Sequence, residues 1–141
     1  MTELEFKKFT QKYHFVLYAG ITKSSDGHAG FSKLDSSCKG FGYVYIWLEK
    51  NEGCLRVVYV GHTEKTTEGR CRQHAQGFKG GSKTGQKHSK KIIDGINKGK
   101  TYSVYVRKSE TRDIFREKGI SMSCVEELAF IKKLRPHWNS M

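Results

Sequence analysis

Gly42-Tyr43-Val44-Tyr45-Ile46-Trp47-Leu48 and, further along, Leu55-Arg56-Val57-Val58-Tyr59-Val60-Gly61 decide the fold. In the first stretch Val44, Ile46 and Leu48 alternate with Tyr43, Tyr45 and Trp47, the period-2 pattern of a strand. A polar turn at residues 49–53 separates the two, so they read as an antiparallel hairpin. One face is expected to be aliphatic, with Val44, Ile46, Leu48, Val58 and Val60. The other is expected to carry Tyr45 and Tyr59 with their hydroxyls available.

Working outward, residues 67–76 read as a helix, followed by a Gly/Lys-rich loop to about residue 86. A second helix is expected over 87–97, stopped by Gly99. Residues 102–107 alternate again and give a third strand, and 111–118 read as a short helix. The last helix begins at Ser123, where Ser123-x-x-Glu126 fits a capping box, and ends before Pro136, the sole proline. Toward the N-terminus, residues 2–12 form a helix with Leu4, Phe6 and Phe9 as apolar positions, and 14–21 a strand. Residues 24–40, rich in Gly, Ser and Asp, read as a loop. The chain thus divides into an N-terminal addition (1–40) packed on a main body (41–141). The expected class is α+β, a small three-stranded antiparallel sheet flanked by helices.

The 141 residues suit one compact unit with a real core. Lys and Arg total 26 against 14 Asp and Glu, a formal charge of +12. Such an excess favours a polyanionic partner, because neutralising phosphates releases condensed counterions. A membrane is disfavoured by the lack of a long apolar run or a basic amphipathic helix. Glu3 and Glu5 interrupt the start of the chain, so no signal peptide is read there. Cys38, Cys54, Cys71 and Cys124 lie far apart without a Cys-x-x-Cys pair, which suits reduced thiols in a cytoplasmic protein. Cys71-x-x-His74 with Cys54 and His62 has poor spacing for zinc.

Arg70 and His74 are four apart and share one helix face, which can turn toward Tyr45 and Tyr59. Glu127 stands among Cys124, Phe130, Ile131 and Leu134, a stripe expected to face the core. A carboxylate there loses hydration unless an arginine or a bound cation compensates. An ion pair and a metal ligand both meet that need. Glu126 is assigned to the exposed side. Between Gly69 and Ile93 no acidic residue occurs, while Arg72, Lys79, Lys83, Lys87, Lys90 and Lys91 do. With Gly77, Gly80, Gly81 and Gly85 making the middle flexible, these cations are expected to follow the phosphate backbone of a nucleic acid, DNA or RNA.

Taken together these residues resemble the GIY-YIG nuclease family. Tyr43-Val44-Tyr45 stands where the first triplet belongs, with Tyr43 in place of the usual glycine, and Tyr59-Val60-Gly61 fits the second. Arg70 with His74 matches the family's Arg-x-x-x-His helix. His88-Ser-Lys-Lys-Ile resembles a segment of intron-homing members, Glu127-Leu-Ala-Phe-Ile-Lys matches the Glu-bearing helix, and Pro136-His-Trp-Asn139 the closing Pro-x-x-Asn. The likeness spans about residues 41–139. It implies hydrolysis of DNA phosphodiester bonds, double-stranded DNA foremost, with one divalent cation, Mg²⁺ or Mn²⁺, held by Glu127. By the same resemblance Tyr45 activates water and Arg70 stabilises charge on phosphorus. Tyr59 and His74 position groups or relay a proton. Gly61 leaves room for close backbone approach, Asn139 ties the chain end to the site, and His88 has a supporting role. A phage, mobile-element or restriction enzyme fits this pattern. A silent nucleic-acid-binding module and an antibacterial nuclease toxin are the alternatives.

Overall fold

A computed structural model describes residues 1–33 and 38–139, the Lys33 side chain excepted. Helix α1 (Glu3–Tyr13) opens with a capping box: Thr2 accepts from the Glu5 amide while Glu5 reaches back to the Thr2 amide. Strands β1 (Val16–Lys23) and β2 (Ala29–Lys33) follow, then β3 (Tyr43–Asn51) and β4 (Cys54–Thr63). Helix α2 (Thr67–Gln76), a π-helical turn (Gly77–Gly81) and helix α3 (Lys83–Asn97) come next. The chain then forms β5 (Thr101–Lys108), the hairpin strands β6 (Thr111–Ile114) and β7 (Glu117–Ser121), and α4 (Ser123–Leu134).

The main sheet is antiparallel with five strands in the order β2-β1-β5-β3-β4, not the three expected. The expected trio, β5, β3 and β4, forms one side of it, and β1 and β2 extend it through the β1–β5 pairing. Part of the expected loop over 24–40 is therefore strand β2; residues 34–37 lie outside the described residues. Ala29-Gly30-Phe31-Ser32 looks like a turn by composition, but pairing with β1 supplies hydrogen bonds that local propensity does not foresee.

Both faces of the sheet are covered. Phe6 and Phe15 from the N-terminal segment and Phe130 of α4 pack on Val44, Ile46, Leu48, Val57 and Val60. Phe78, Ile92 and Trp138 pack on the other face, against Tyr45, Trp47, Val104 and Val106. Val58 belongs to this second face, contrary to the alternation read from sequence. A bulge moves the register from Trp47 opposite Tyr59 to Leu48 opposite Val57, so Val58 is the extra residue.

Three further local readings are corrected. The expected helix over 111–118 is the exposed hairpin β6–β7, whose two-residue turn holds Phe115 (φ 52) and Arg116 (φ 68) in the left-handed region. That is the turn geometry matching strand twist, and it overrides the helix propensity of Arg, Glu and Lys. Helix α3 begins at Lys83, earlier than expected, because Ser82 caps it by accepting from the Gly85 amide at 2.9 Å. Gly85, inside α3, and Gly77 serve close packing, since a Cβ on Gly85 would run into the backbone of Gly77, while Gly80 takes up a φ of 113°. Finally, Ser123 does not cap α4, which starts from Met122 without a side-chain cap. Glu126 instead pairs with Arg107 at 3.2 Å and accepts from the Glu110 amide at 2.9 Å. Its side chain is 14% exposed against 21% for Glu127, so the expected exposed carboxylate is the more buried of the two.

No helix among the described residues is long and apolar enough to cross a membrane.

Candidate active site

The edge strand β4 and its neighbour β3 carry the two tyrosines side by side, with ring centroids 6.2 Å apart. Tyr45 lies opposite Gly61 in the register. A Cβ at Gly61 would overlap the Tyr45 ring and hydroxyl, so only glycine lets the phenol lie across the strand. Helix α2, capped by Thr66 accepting from the Gly69 amide at 3.1 Å, then brings Arg70 and His74 over the tyrosines on one face. Arg70 Nε donates to Tyr45 Oη at 3.1 Å, and Tyr45 Oη meets His74 Nε2 at 2.6 Å. Arg70 Nη1 is steadied by Gln73 Oε1 at 2.9 Å.

Burial sets the protonation of this chain of groups. It pushes the Tyr45 hydroxyl far above the ordinary phenol value, and the Arg70 charge only partly offsets it. Burial, then the Arg70 charge, lower His74 to about 3. The imidazole is therefore neutral, and Nε2 accepts the Tyr45 proton while Tyr45 accepts from Arg70. The Tyr45 hydroxyl is engaged on both sides and its residue is 3% exposed, so it is not the freely available group expected from sequence. Tyr59 is also raised by burial, against Arg70 and with Glu127. Burial opposes the Arg70 charge, yet Tyr45, Tyr59 and Glu127 outweigh it and hold its pKa above the ordinary value.

A neutral buried histidine has a consequence for stability. The unfolded chain takes up a proton at His74 near pH 6.5, while the folded chain resists until about pH 3. Stability from this group is complete above pH 6.5 and drains as pH falls toward 3. Urea unfolding between pH 7.5 and 4 should show that decline, and His74→Gln should flatten it.

Glu127 reaches the same cleft from α4. Its carboxylate is hydrogen-bonded to His62 Nδ1, on β4 directly after Gly61, and it acts electrostatically on both Tyr59 and Arg70. His62 enters the sequence reading only as a poorly spaced zinc candidate and not as a member of this site; its position beside the second triplet was the available signal. His62 and Arg70 both line an open cavity of about 590 Å³ that also takes in Lys65 and Arg72. A smaller cavity of about 190 Å³ lies on the other side of Arg70, between Tyr59, His74, His88 and the first turn of α3.

His88 is 2% exposed, stacked on Trp138 (centroids 5.7 Å) and edge-on to Tyr59 (5.1 Å). Burial lowers its pKa, and its Nε2 has no hydrogen-bond partner among the described residues. Asn139 binds the free edge of β4: its Oδ1 accepts from Val60 N at 2.8 Å and its Nδ2 donates to Val60 O at 2.7 Å. The side-chain amide thus copies a strand partner, beside Trp138 N donating to Val58 O at the bulge. Asn139→Ala strands both Val60 groups and should cost about 1–3 kcal/mol in urea unfolding.

The expected DNA-contacting cations are spread over α2, the π-helical turn and α3. Arg72 borders the large cavity and pairs with Glu68 at 3.7 Å. Lys83 and Lys87 are exposed on the first turns of α3. Lys91 lies 5.6 Å over the Trp138 ring. Lys79 and Lys90 face a separate hollow beside His28 and Ile93, and Lys79 pairs with Asp26 at 3.6 Å.

The fold has counterparts among solved structures. No curated protein matches the sequence. A bacteriophage T4 EndoII mutant shares the fold, with a TM-score of 0.70 and 23% identity over 94% of this chain and 96% of that one. The restriction endonuclease HPY188I, solved with product DNA, shares it more loosely: TM-score 0.52 and 19% identity over 96% of this chain and 82% of that one. The family model for the GIY-YIG catalytic domain matches residues 41–139. Since that span is most of the chain and holds every group gathered around Arg70, the chain belongs to the GIY-YIG family.

Proposed function

We propose that this chain is a divalent-cation-dependent endonuclease that hydrolyses phosphodiester bonds in DNA, with double-stranded DNA as its foremost substrate. The observation that carries the reading is the hydrogen-bonded run from Arg70 through Tyr45 to His74, with Glu127 in electrostatic contact with its arginine end. The restriction enzyme of the same fold is described with product DNA, which supports DNA as the first substrate to test.

The donor set fits a hard cation that keeps most of its water. No group of three His, Cys, Asp or Glu able to hold a metal occurs among the described residues. Glu127 is one partly exposed carboxylate at the cleft. Mg²⁺ characteristically binds through one or two carboxylates, waters and substrate phosphate oxygens, so a lone Glu127 suits a single-ion site. When bound, such an ion supplies Lewis-acid polarisation of the phosphate and offsets charge on the leaving oxygen.

The chain's own groups do the rest. Arg70, fixed by Tyr45 and Gln73, faces negative charge as it grows on the pentacovalent phosphorus. Burial disfavours a resting Tyr45 phenolate. Proton transfer is therefore concerted: attacking water gives its proton to Tyr45 Oη as Tyr45 passes its own to the lone pair of His74 Nε2. The new bond joins the water oxygen to phosphorus, and the bond to the leaving oxygen breaks. Tyr59, on the cavity wall beside Arg70, orients water and phosphate. The first turn of α3 adds a positive helix end and Lys83 and Lys87 to the DNA path. Replacing both lysines with alanine should weaken binding at low salt and reduce the salt slope by about 2.

Supercoiled plasmid incubated with Mg²⁺, and in parallel with EDTA, tests the reading. Nicking or linearisation that EDTA stops is the expected result. Salt-sensitive binding without any cleavage identifies a binding module instead.

A further inference from the structure

We infer that His62 is a second protein ligand of the cation at Glu127, which makes the centre a mixed oxygen–nitrogen site favouring Mn²⁺ over Mg²⁺. The inference rests on the nuclease reading for the presence of an ion at Glu127, and adds a residue and a metal preference to it. Three observations carry it. First, the His62 ring nitrogen Nδ1 and the Glu127 carboxylate oxygen Oε2 are in direct contact, although they come from β4 and α4, 65 residues apart in the chain. Adjacent donor atoms of this kind can occupy neighbouring positions around one octahedral ion.

Second, neither side chain has another hydrogen-bond or ion-pair partner among the described residues. The guanidinium nearest in function, Arg70, spends its hydrogen bonds on Tyr45 and Gln73 and does not pair with Glu127. Among the described residues the carboxylate in the cleft thus has an imidazole as its one hydrogen-bonding partner, where a purely structural ion pair would call for an arginine or a lysine. Third, both groups keep access to solvent, with His62 29% and Glu127 21% exposed, and His62 lines the open cavity of about 590 Å³. An ion can reach them and keep waters and phosphate oxygens in its remaining positions.

The ligand types set the preference. Mg²⁺ takes oxygen donors and gives up its water reluctantly, so an imidazole adds little to its binding. Mn²⁺ accepts carboxylate and phosphate oxygens as Mg²⁺ does, and gains from an imidazole nitrogen as the first-row transition metals do. An Oε2–Nδ1 pair therefore separates two ions that a lone carboxylate binds much alike.

Mn²⁺ is titrated into the full chain without DNA and followed by electron paramagnetic resonance, with electron spin-echo modulation to detect a directly bonded nitrogen. The expected result is one bound Mn²⁺ per chain with nitrogen coupling. Both should be lost in Glu127→Gln, and in His62→Gln the coupling should vanish with at least a tenfold weaker affinity. Mg²⁺ should displace Mn²⁺ from the wild type only at tenfold or greater excess, and more readily from His62→Gln. Bound Mn²⁺ without nitrogen coupling, coupling that survives His62→Gln, or no binding without DNA each overturns the assignment. Plasmid cleavage by the same wild-type preparation is scored separately. Cleavage without nitrogen coupling refutes the His62 ligand and spares the nuclease; coupling without cleavage does the reverse.

Discussion

Glu127→Gln should reduce cleavage at least a thousandfold while DNA binding stays within about threefold of wild type. The substitution keeps the shape of the side chain and an amide oxygen able to accept from His62 Nδ1, so the α4–β4 contact survives. What it removes is the negative charge that would hold a cation. A thousandfold loss corresponds to about 4 kcal/mol of transition-state stabilisation, within the several kcal/mol a Lewis-acidic ion supplies. Binding is expected to rest on the lysines and arginines, none of which forms an ion pair with Glu127 among the described residues, so ground-state affinity should be spared. Single-turnover cleavage of a labelled duplex, with fluorescence anisotropy for affinity, measures both. Wild-type cutting by Glu127→Gln would remove Glu127 from the metal site.

Arg70→Ala should lower kcat about 10²- to 10³-fold, the usual loss when a preorganised donor to a developing anion is deleted. Arg70 touches three parts of the machinery: Nε donates to Tyr45, Nη1 is held by Gln73, and its charge opposes the burial that keeps the Tyr45 proton in place. Losing it removes the donor that holds Tyr45 in place and the positive charge that the proposed mechanism sets against the phosphorus. Arg70→Lys restores charge but not the fork that bonds Tyr45 and Gln73 together, so it should recover only a small part of the rate. Because these interactions matter most at the transition state, KM should move by no more than about threefold. A large KM change with kcat intact would show that Arg70 only binds substrate.

The residues of this site were legible as types and spacings. Arg70 and His74 share a face because a helix repeats every 3.6 residues, and Tyr45 and Tyr59 stand on neighbouring strands because the alternation and the turn at 49–53 specify a hairpin. The apolar stripe around Glu127 marks it as a carboxylate in need of a cation, but its place at this site, like that of Asn139, was legible only through family resemblance, since nothing local says that α4 and the chain end meet β4. His62 reads only as a poorly spaced zinc candidate for the same reason: its partner is 65 residues away. The misread segments, β2, the β6–β7 hairpin and the start of α3, were ones whose composition suits several conformations.

By itself the amino-acid order determined what short-range periodicity and turn chemistry control: the β3–β4 hairpin, helices α2 and α4 nearly in full, and a basic chain suited to a polyanion. Tertiary structure decided the rest. The sheet has five strands because β1 finds β5 across more than eighty residues, and Val58 changes face because of a bulge that no alternation records. Protonation is the clearest case. Tyr45 and His74 have ordinary values as isolated side chains, and only the desolvation imposed by strands and helices packed around them drives the phenol up and the imidazole down.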